Sequence, residues 1–424
     1  MKVGLLGLGT VGTGTAEILL SPSGRNPLLK EIEIARIGVR SLSKPREVAL
    51  PSDRFTTDLE SIVTDPNLEI IVELIGGIEP ARSLILQAIK AGKHIVTANK
   101  AVMARHGDEI YTAANEAGVY VLLEAAVGGG IPIIQPLKQS LGVNKIERVT
   151  GIINGTTNYI LTQMQHEGSD FAEVLAEAQQ LGYAEADPTA DVEGYDATDK
   201  ISILASLAFG GRIHYDDIQR EGIRQVNVTD INYARQLGFV VKLLAIAQRD
   251  EHTHGSLQVR VGPTLVPEDH PLASVNGVNN AILVEADPLG QVMFYGPGAG
   301  KGATASAVVS DILQIISVLQ SNAQNHPLLT CSHQNYCTIT PIEELETRFY
   351  ARFLCGDRPG VIGHLGTCFA HAKVSLESVV QIGFQDNLAE VVVVTHDVQE
   401  GNFRQAVESI NQEDINVTSI LRVL

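Results

Sequence analysis

"VGLLGLGTVG", from Val3 to Gly12, is the stretch on which the reading of this chain turns. A short apolar run breaks into Gly7-x-Gly9-x-x-Gly12 and continues into 13–20, which can form a helix: a strand, a tight turn and a helix start. Gly7 can make the turn, Gly9 can admit a pyrophosphate close to the backbone beside Leu8, Thr10 and Val11, and Gly12 can pack helix against strand. The free N–H groups of the helix start then face the phosphates. Alone, such a pattern also fits a purely structural turn. Its context favours a dinucleotide, because "EIARIGV", "LEIIVELI", "KHIVTA" and "VYVLLEA" follow as apolar strands interleaved with helical stretches such as "EPARSLILQAIKAG". The expected fold is α/β, a Rossmann-type doubly wound parallel sheet.

At the end of the second strand, "IGVRSLSKPR" offers Arg40 where an NAD site would carry Asp or Glu. A guanidinium can make paired bonds to a 2′-phosphate, so NADP is favoured and NAD stays open. Gly76-Gly77 and Thr97-Ala98-Asn99-Lys100 close two further strands, at the carboxyl ends where ligands lie in this architecture. Gly76, Thr97 and Lys100 are therefore candidate site residues.

The bulk numbers set limits. The chain has 424 residues, too many for one ordinary core, and a formal net charge of −18. Such acidity disfavours a nucleic-acid partner, which clustered Lys and Arg would bind. No window approaches the roughly 18 continuous apolar residues of a membrane span, so a cytoplasmic protein without membrane attachment is expected. The four cysteines, Cys331, Cys337, Cys355 and Cys368, read as reduced structural thiols. Their absence from the first 330 residues argues against an aldehyde oxidation through a thiohemiacetal, which needs a cysteine nucleophile.

The expected domains are 1–130 for the dinucleotide, 131–303 for an α+β substrate and dimerisation domain, 321–348 as a polar linker, and 349–424 as a βαββαβ tail. Helices are expected over 131–141, 158–166, 171–181 and 198–209, and a long helix over 304–319 or 320, packing back on the first domain.

"GYAEADPTADVEGYDATDKISILA", residues 182–205, is rich in carboxylates and becomes helical in its second half. That places Asp196 and Lys200, four apart, on one face. A carbonyl beside a hydride donor needs an acid, and an ammonium held by a carboxylate can serve. The alternative is an exposed salt bridge of little consequence.

Together "GLLGLGTVG", "TANK", "EAAVGGGIP", "GIINGTTNYIL", "LGYAEADPTADVEGYDATDK" and "GPGAGKGATASAVVSD" resemble homoserine dehydrogenase, and the tail resembles an ACT regulatory domain. The resemblance implies NAD(P)H-dependent interconversion of L-aspartate 4-semialdehyde and L-homoserine, on the route to threonine, methionine and isoleucine. Residue by residue, it implies Lys200 as proton donor with Asp196 as its partner, Glu185 for the substrate's amino group, and Gly155, Thr156, Tyr183 and Asp191 as further substrate contacts. It implies Lys100 as a cofactor and substrate contact with a catalytic part, and Gly182 and Gly298 in cofactor loops. A sodium site is implied at Glu124, Val127, Gly129 and Ile131. Lys301-Gly302-Ala303 departs from the proline that many relatives carry before the helix. The tail implies threonine as effector near Asp357–Val361, with Gln381 and Asn387 as looser candidates, and a homodimer or homotetramer. Two rivals stand beside this reading: another amino-acid dehydrogenase, such as an aspartate dehydrogenase, and a non-catalytic sensor of NADP and amino acids.

Overall fold

A computed structural model of the chain describes residues 1–250, 255–321, 326–331, 333–385, 388–410 and 415–424. They form two compact units: Met1–Val149 with Asp199–Asp216 and Asn280–Cys337, and Thr150–Thr198 with Asp217–Asn279 and Thr338–Leu424. The units thus interleave along the sequence, where the expected boundaries run in series.

The first unit is built on six parallel strands: β1 (Lys2–Leu6), β2 (Glu33–Gly38), β3 (Phe55–Thr56), β4 (Ile70–Glu73), β5 (His94–Thr97) and β6 (Val121–Leu122). Their order across the sheet is β3-β2-β1-β4-β5-β6. This is the doubly wound arrangement expected, with its topological switch beside β1. The strands are mainly apolar, as suits a parallel sheet with helices on both faces. One of these helices is remote in sequence. Val308, Ile312, Ile315 and Ile316 of the helix Lys301–Gln320 pack in one cluster with Val3, Leu5 and Ala16. Among the described residues this helix is the one long and apolar enough by composition to cross a membrane, a feature that counting continuous apolar runs overlooks. Its apolar surface is taken up by the core instead.

The expected helix over 131–141 shrinks to Ile134–Lys138. Pro132 removes a backbone donor ahead of it, and the N–H groups of Ile133, Ile134 and Gln135 are drawn onto the carboxylate of Glu124 at 2.6, 2.8 and 2.8 Å. In the polar stretch after the long helix, Asn335 and Cys337 are tied to Arg212: Arg212 N donates to Asn335 O and Cys337 N to Arg212 O, both at 2.8 Å.

In the second unit the strands Phe239–Arg249 and Ser256–Pro267 pair antiparallel along their whole length. The tail is a βαββαβ module: strands Glu346–Gly356, Leu376–Gln385, Leu388–Thr395 and Ile415–Val423, with helices Val361–His371 and Glu400–Ile410. Its core stacks Phe349 on Phe403 at 4.1 Å. The last strand continues the sheet of this unit, pairing Thr264 with Arg422 and Leu265 with Val423 in parallel.

Buried charge fixes that graft. Arg352 donates to Asp230 on the helix Val228–Gln236 at 2.7 Å and to Glu390 at 2.8 Å, with these three side chains no more than 5% exposed. Tyr350 donates to Asp230 at 3.0 Å, and burial with Asp230 alongside pushes its phenol well above the usual range. Arg422 likewise bridges Glu400 at 2.9 Å and Glu221 at 2.8 Å. Arg352→Leu would strand two carboxylates in the interior and should cost about 3–5 kcal/mol in urea unfolding. Arg148→Leu, which removes a partly exposed partner 3.6 Å from Glu285, should cost less than about 1 kcal/mol.

Candidate active site

In the first unit the chain leaves β1 at Gly7, whose φ of +103° is left-handed and whose N–H is held by Gly38 O at 2.9 Å. A Cβ at Gly12 would stand 2.3 Å from Gly7 O, so the helix Thr10–Leu20 can approach the strand only without one. At Gly9 a Cβ would meet nothing within 4 Å. The three glycines therefore divide as the spacing implies: two are required by the fold, and the middle one keeps a surface open. The helix start has no side-chain cap and no acidic residue in its first turn, leaving its N–H groups and positive dipole end for an anion. Leu8, Thr10 and Val11 line this turn. Arg40 lies just past the end of β2, exposed, with no ion pair among the described residues.

The carboxyl ends of β4 and β5 are tied together by Glu73, which is fully buried. Its carboxylate accepts from Ile75 N at 2.9 Å, Gly76 N at 3.2 Å and Thr97 Oγ1 at 2.6 Å. Asn99 caps the helix Lys100–Ala117 by accepting from Val102 N at 3.2 Å, and it donates to Gly77 O at 2.7 Å. Gly76, Thr97 and Lys100 are thus brought to one edge. Neither Glu73 nor Asn99 was among the sequence candidates; the one signal for Glu73 is a lone carboxylate inside the apolar run "IIVELI".

In the second unit Asn154 caps the helix Gly155–Glu167 and donates to Asp191 Oδ1 at 2.6 Å and Asp196 Oδ2 at 2.9 Å. Thr156 Oγ1 donates to Tyr183 O at 2.7 Å, holding the loop that carries Gly182 and Glu185. Gln179 Nε2 supports the same loop by donating to Glu185 O at 3.0 Å. Tyr183 and Glu185 are exposed. This brings Gly155, Thr156, Tyr183 and Asp191 into one neighbourhood with Asp196.

Asp196 and Lys200 lie one turn apart on the helix Tyr195–Phe209 and are 8% and 9% exposed. An exposed surface salt bridge is therefore not what these residues form. Lys200 is buried as well. Its neighbour Asp199, in the first unit, pairs with Arg105 at 2.8 Å.

Glu124 is buried, and burial pushes its carboxyl up against the three backbone N–H groups that hold it. Both of its oxygens serve the helix start at Ile133–Gln135. The carbonyls of Val127, Gly129 and Ile131 accept no hydrogen bond among the described residues, and the turn is locked by Gly130 N on Pro297 O at 3.0 Å. The backbone of Gly298 lies against Gly129 and Asn280. Among the described residues no cluster of three or more His, Cys, Asp or Glu could hold a metal, so a cation here would depend on carbonyls.

In the tail, Gly360 opens the helix Val361–His371 with φ of +97° and no side-chain cap, and Gln381 is exposed on the edge strand Leu376–Gln385. Asn387 lies outside the described residues.

Comparison with known proteins bears on this arrangement. Residues 132–313 match the family model described as homoserine dehydrogenase, residues 7–124 that described as homoserine dehydrogenase, NAD binding domain, and residues 349–420 the ACT domain. A homoserine dehydrogenase of Synechocystis sp. is 65% identical over 430 residues, covering 100% of this chain and 99% of its own. The crystal structure of a homoserine dehydrogenase from Thiobacillus denitrificans shares 41% identity with a TM-score of 0.93, covering 100% of this chain and 98% of that one. A hyperthermophilic archaeal homoserine dehydrogenase in complex with NADPH shares 28% identity with a TM-score of 0.62, covering 74% of this chain and 97% of that one.

The glycine turn yields a paired test. Gly9→Ala should raise the Kd for the dinucleotide about tenfold with an unchanged unfolding midpoint, because its methyl meets only ligand. Gly12→Ala, driven into Gly7 O, should lower the midpoint as well; calorimetry and cofactor titration on the two variants separate these effects.

Proposed function

The chain belongs to the homoserine dehydrogenase family of NAD(P)-dependent oxidoreductases, and from that premise we propose that it reduces L-aspartate 4-semialdehyde to L-homoserine with NADPH, Lys200 supplying the proton. The observation that carries this reading is the burial of Lys200 and Asp196, a turn apart on one helix face. A buried ammonium is held only where a task or a partner repays its lost hydration.

When bound, the nicotinamide supplies hydride to the aldehyde carbon. Negative charge then grows on the aldehyde oxygen, and Lys200 in its ammonium form stabilises it and hands it a proton. Asp196, one turn before it on the same helix, is the partner that aims that amine. Glu185 receives the α-ammonium of the substrate, with Gly155, Thr156, Tyr183 and Asp191 shaping its seat. Lys100 touches both cofactor and substrate. Gly7, Leu8, Gly9, Thr10, Val11 and Gly12 cradle the pyrophosphate, and Gly76, Thr97, Gly182 and Gly298 complete the cofactor contacts. The absence of cysteine before Cys331 supports reduction to the alcohol over oxidation to an acyl-enzyme.

Arg40 supports NADPH: it is exposed, has no ion pair among the described residues and follows the second strand, the position from which a guanidinium can meet a 2′-phosphate in this architecture, and the archaeal relative is in complex with NADPH. NAD remains the second cofactor of this reading. Sodium suits the carbonyls of Val127, Gly129 and Ile131, with Glu124 anchoring the turn behind them. Threonine is the proposed effector, held by Asp357–Val361 at the uncapped helix start and by Gln381, in a homodimer or homotetramer working in the cytoplasm.

Lys200→Ala should cut kcat by about a thousandfold or more while NADPH binding, followed by fluorescence, stays within about threefold; turnover above about a tenth of normal would remove Lys200 as the donor. Arg40→Ala should raise KM for NADPH by about tenfold or more and leave KM for NADH nearly unchanged, and equal effects on both would remove the preference.

A further inference from the structure

We propose that Asn154 is a positioning residue for the reaction, its amide holding the carboxylates of Asp191 and Asp196 together in one fixed arrangement. This rests on the assignment of Asp196 to Lys200 made above.

Asn154 is 5% exposed. Its Oδ1 is committed on the helix side, accepting from Thr157 N at 2.8 Å and meeting Thr157 Oγ1 at 2.9 Å. That commitment fixes which way the amide faces, since a flipped side chain would set its NH2 against a backbone N–H. Nδ2 is left with two protons and spends them on two carboxylates, Asp191 Oδ1 at 2.6 Å and Asp196 Oδ2 at 2.9 Å. Two oxygens bonded to one nitrogen lie within about 5 Å of each other.

Carboxylates that close repel each other. A neutral donor between them offsets that repulsion without adding a cation that would compete with Lys200 for Asp196. The same amide joins three separate pieces of chain: the start of the helix Gly155–Glu167, the short helix Thr189–Val192 and the first turn of Tyr195–Phe209. Gly155 and Thr156, next in sequence, are thereby held in register with Asp191. An error in this one side chain would reach both the proton donor's partner and the substrate contacts.

Cap and amide can be separated. Asn154→Ser and Asn154→Asp both keep an oxygen that caps the helix, but neither offers two N–H donors, and Asp adds a third carboxylate. In the full-length protein, both should lower kcat/KM for the semialdehyde by about thirtyfold or more, through a lower kcat and a higher KM for that substrate. KM for NADPH should stay within about threefold, and the unfolding midpoint should fall by no more than a few degrees. Asn154→Ala, losing both cap and donors, should be no less impaired in kcat/KM and should melt lower than either. Retention of kcat/KM within about threefold by Asn154→Ser and Asn154→Asp would overturn the proposal. So would a loss of activity that merely follows the melting temperature across the three variants, since that marks a helix cap alone. If Lys200→Ala is inactive while the Ser and Asp variants work normally, this inference fails by itself; if Lys200→Ala turns over, the reading beneath it fails.

Discussion

A carboxylate taken out of water must be given donors, or it takes a proton and ceases to be an anion. This chain carries 49 acidic residues against 31 basic ones, and it buries several of them where its geometry matters most. Glu73 is held by two backbone N–H groups and a hydroxyl, Glu124 by three backbone N–H groups, and Asp230, Glu390 and Glu400 by guanidinium groups, while Asp196 accepts from the Asn154 amide. Each set of donors comes from a different stretch of chain. A buried anion therefore acts as a knot, and its position is set by every segment that feeds it.

The knots differ in kind according to what they secure. Where a strand ends or a short helix begins, backbone N–H groups do the work, because those positions leave donors unsatisfied. Glu73 and Glu124 exploit this to shape the ends of β4 and β5 and the turn from Val127 to Ile131. Where two modules join, the donors are arginines. Arg352 and Arg422 tie the βαββαβ tail to the helix Val228–Gln236 and to Glu221, alongside a strand pairing that continues the sheet. Breaking such a pair is costly, so the tail is bound into its unit rather than tethered to it.

Much of the fold was legible because short-range constraints write themselves into local sequence. The glycine spacing, the apolar strands and the βαββαβ tail all match what the structure holds, and the family comparisons agree over the whole chain. Asp196 and Lys200 were legible as a helical pair from spacing alone. Less legible was anything that depends on a distant partner. The strand Phe55–Thr56 is two residues long and leaves no periodicity to read. The helix Ile134–Lys138 is shorter than its apolar pattern suggests because Glu124, ten residues away, claims its first N–H groups. Glu73 lies in no motif, and Asn99 and Asn154, though inside "TANK" and "GIINGTTNYIL", have no role that spacing reveals; each matters for what it meets, and the candidate site was read without them.

The sequence by itself determined the dinucleotide turn, the order of strands and helices, and the residue types available for proton transfer, since these follow from local sterics and from periodicity. Only the tertiary structure decided that Lys200 and Asp196 are buried, that Arg352 closes on Asp230 and Glu390, and that one asparagine gathers two aspartates. Burial and hydrogen-bond satisfaction are properties of the space around a side chain, and that space is made by segments up to hundreds of residues away.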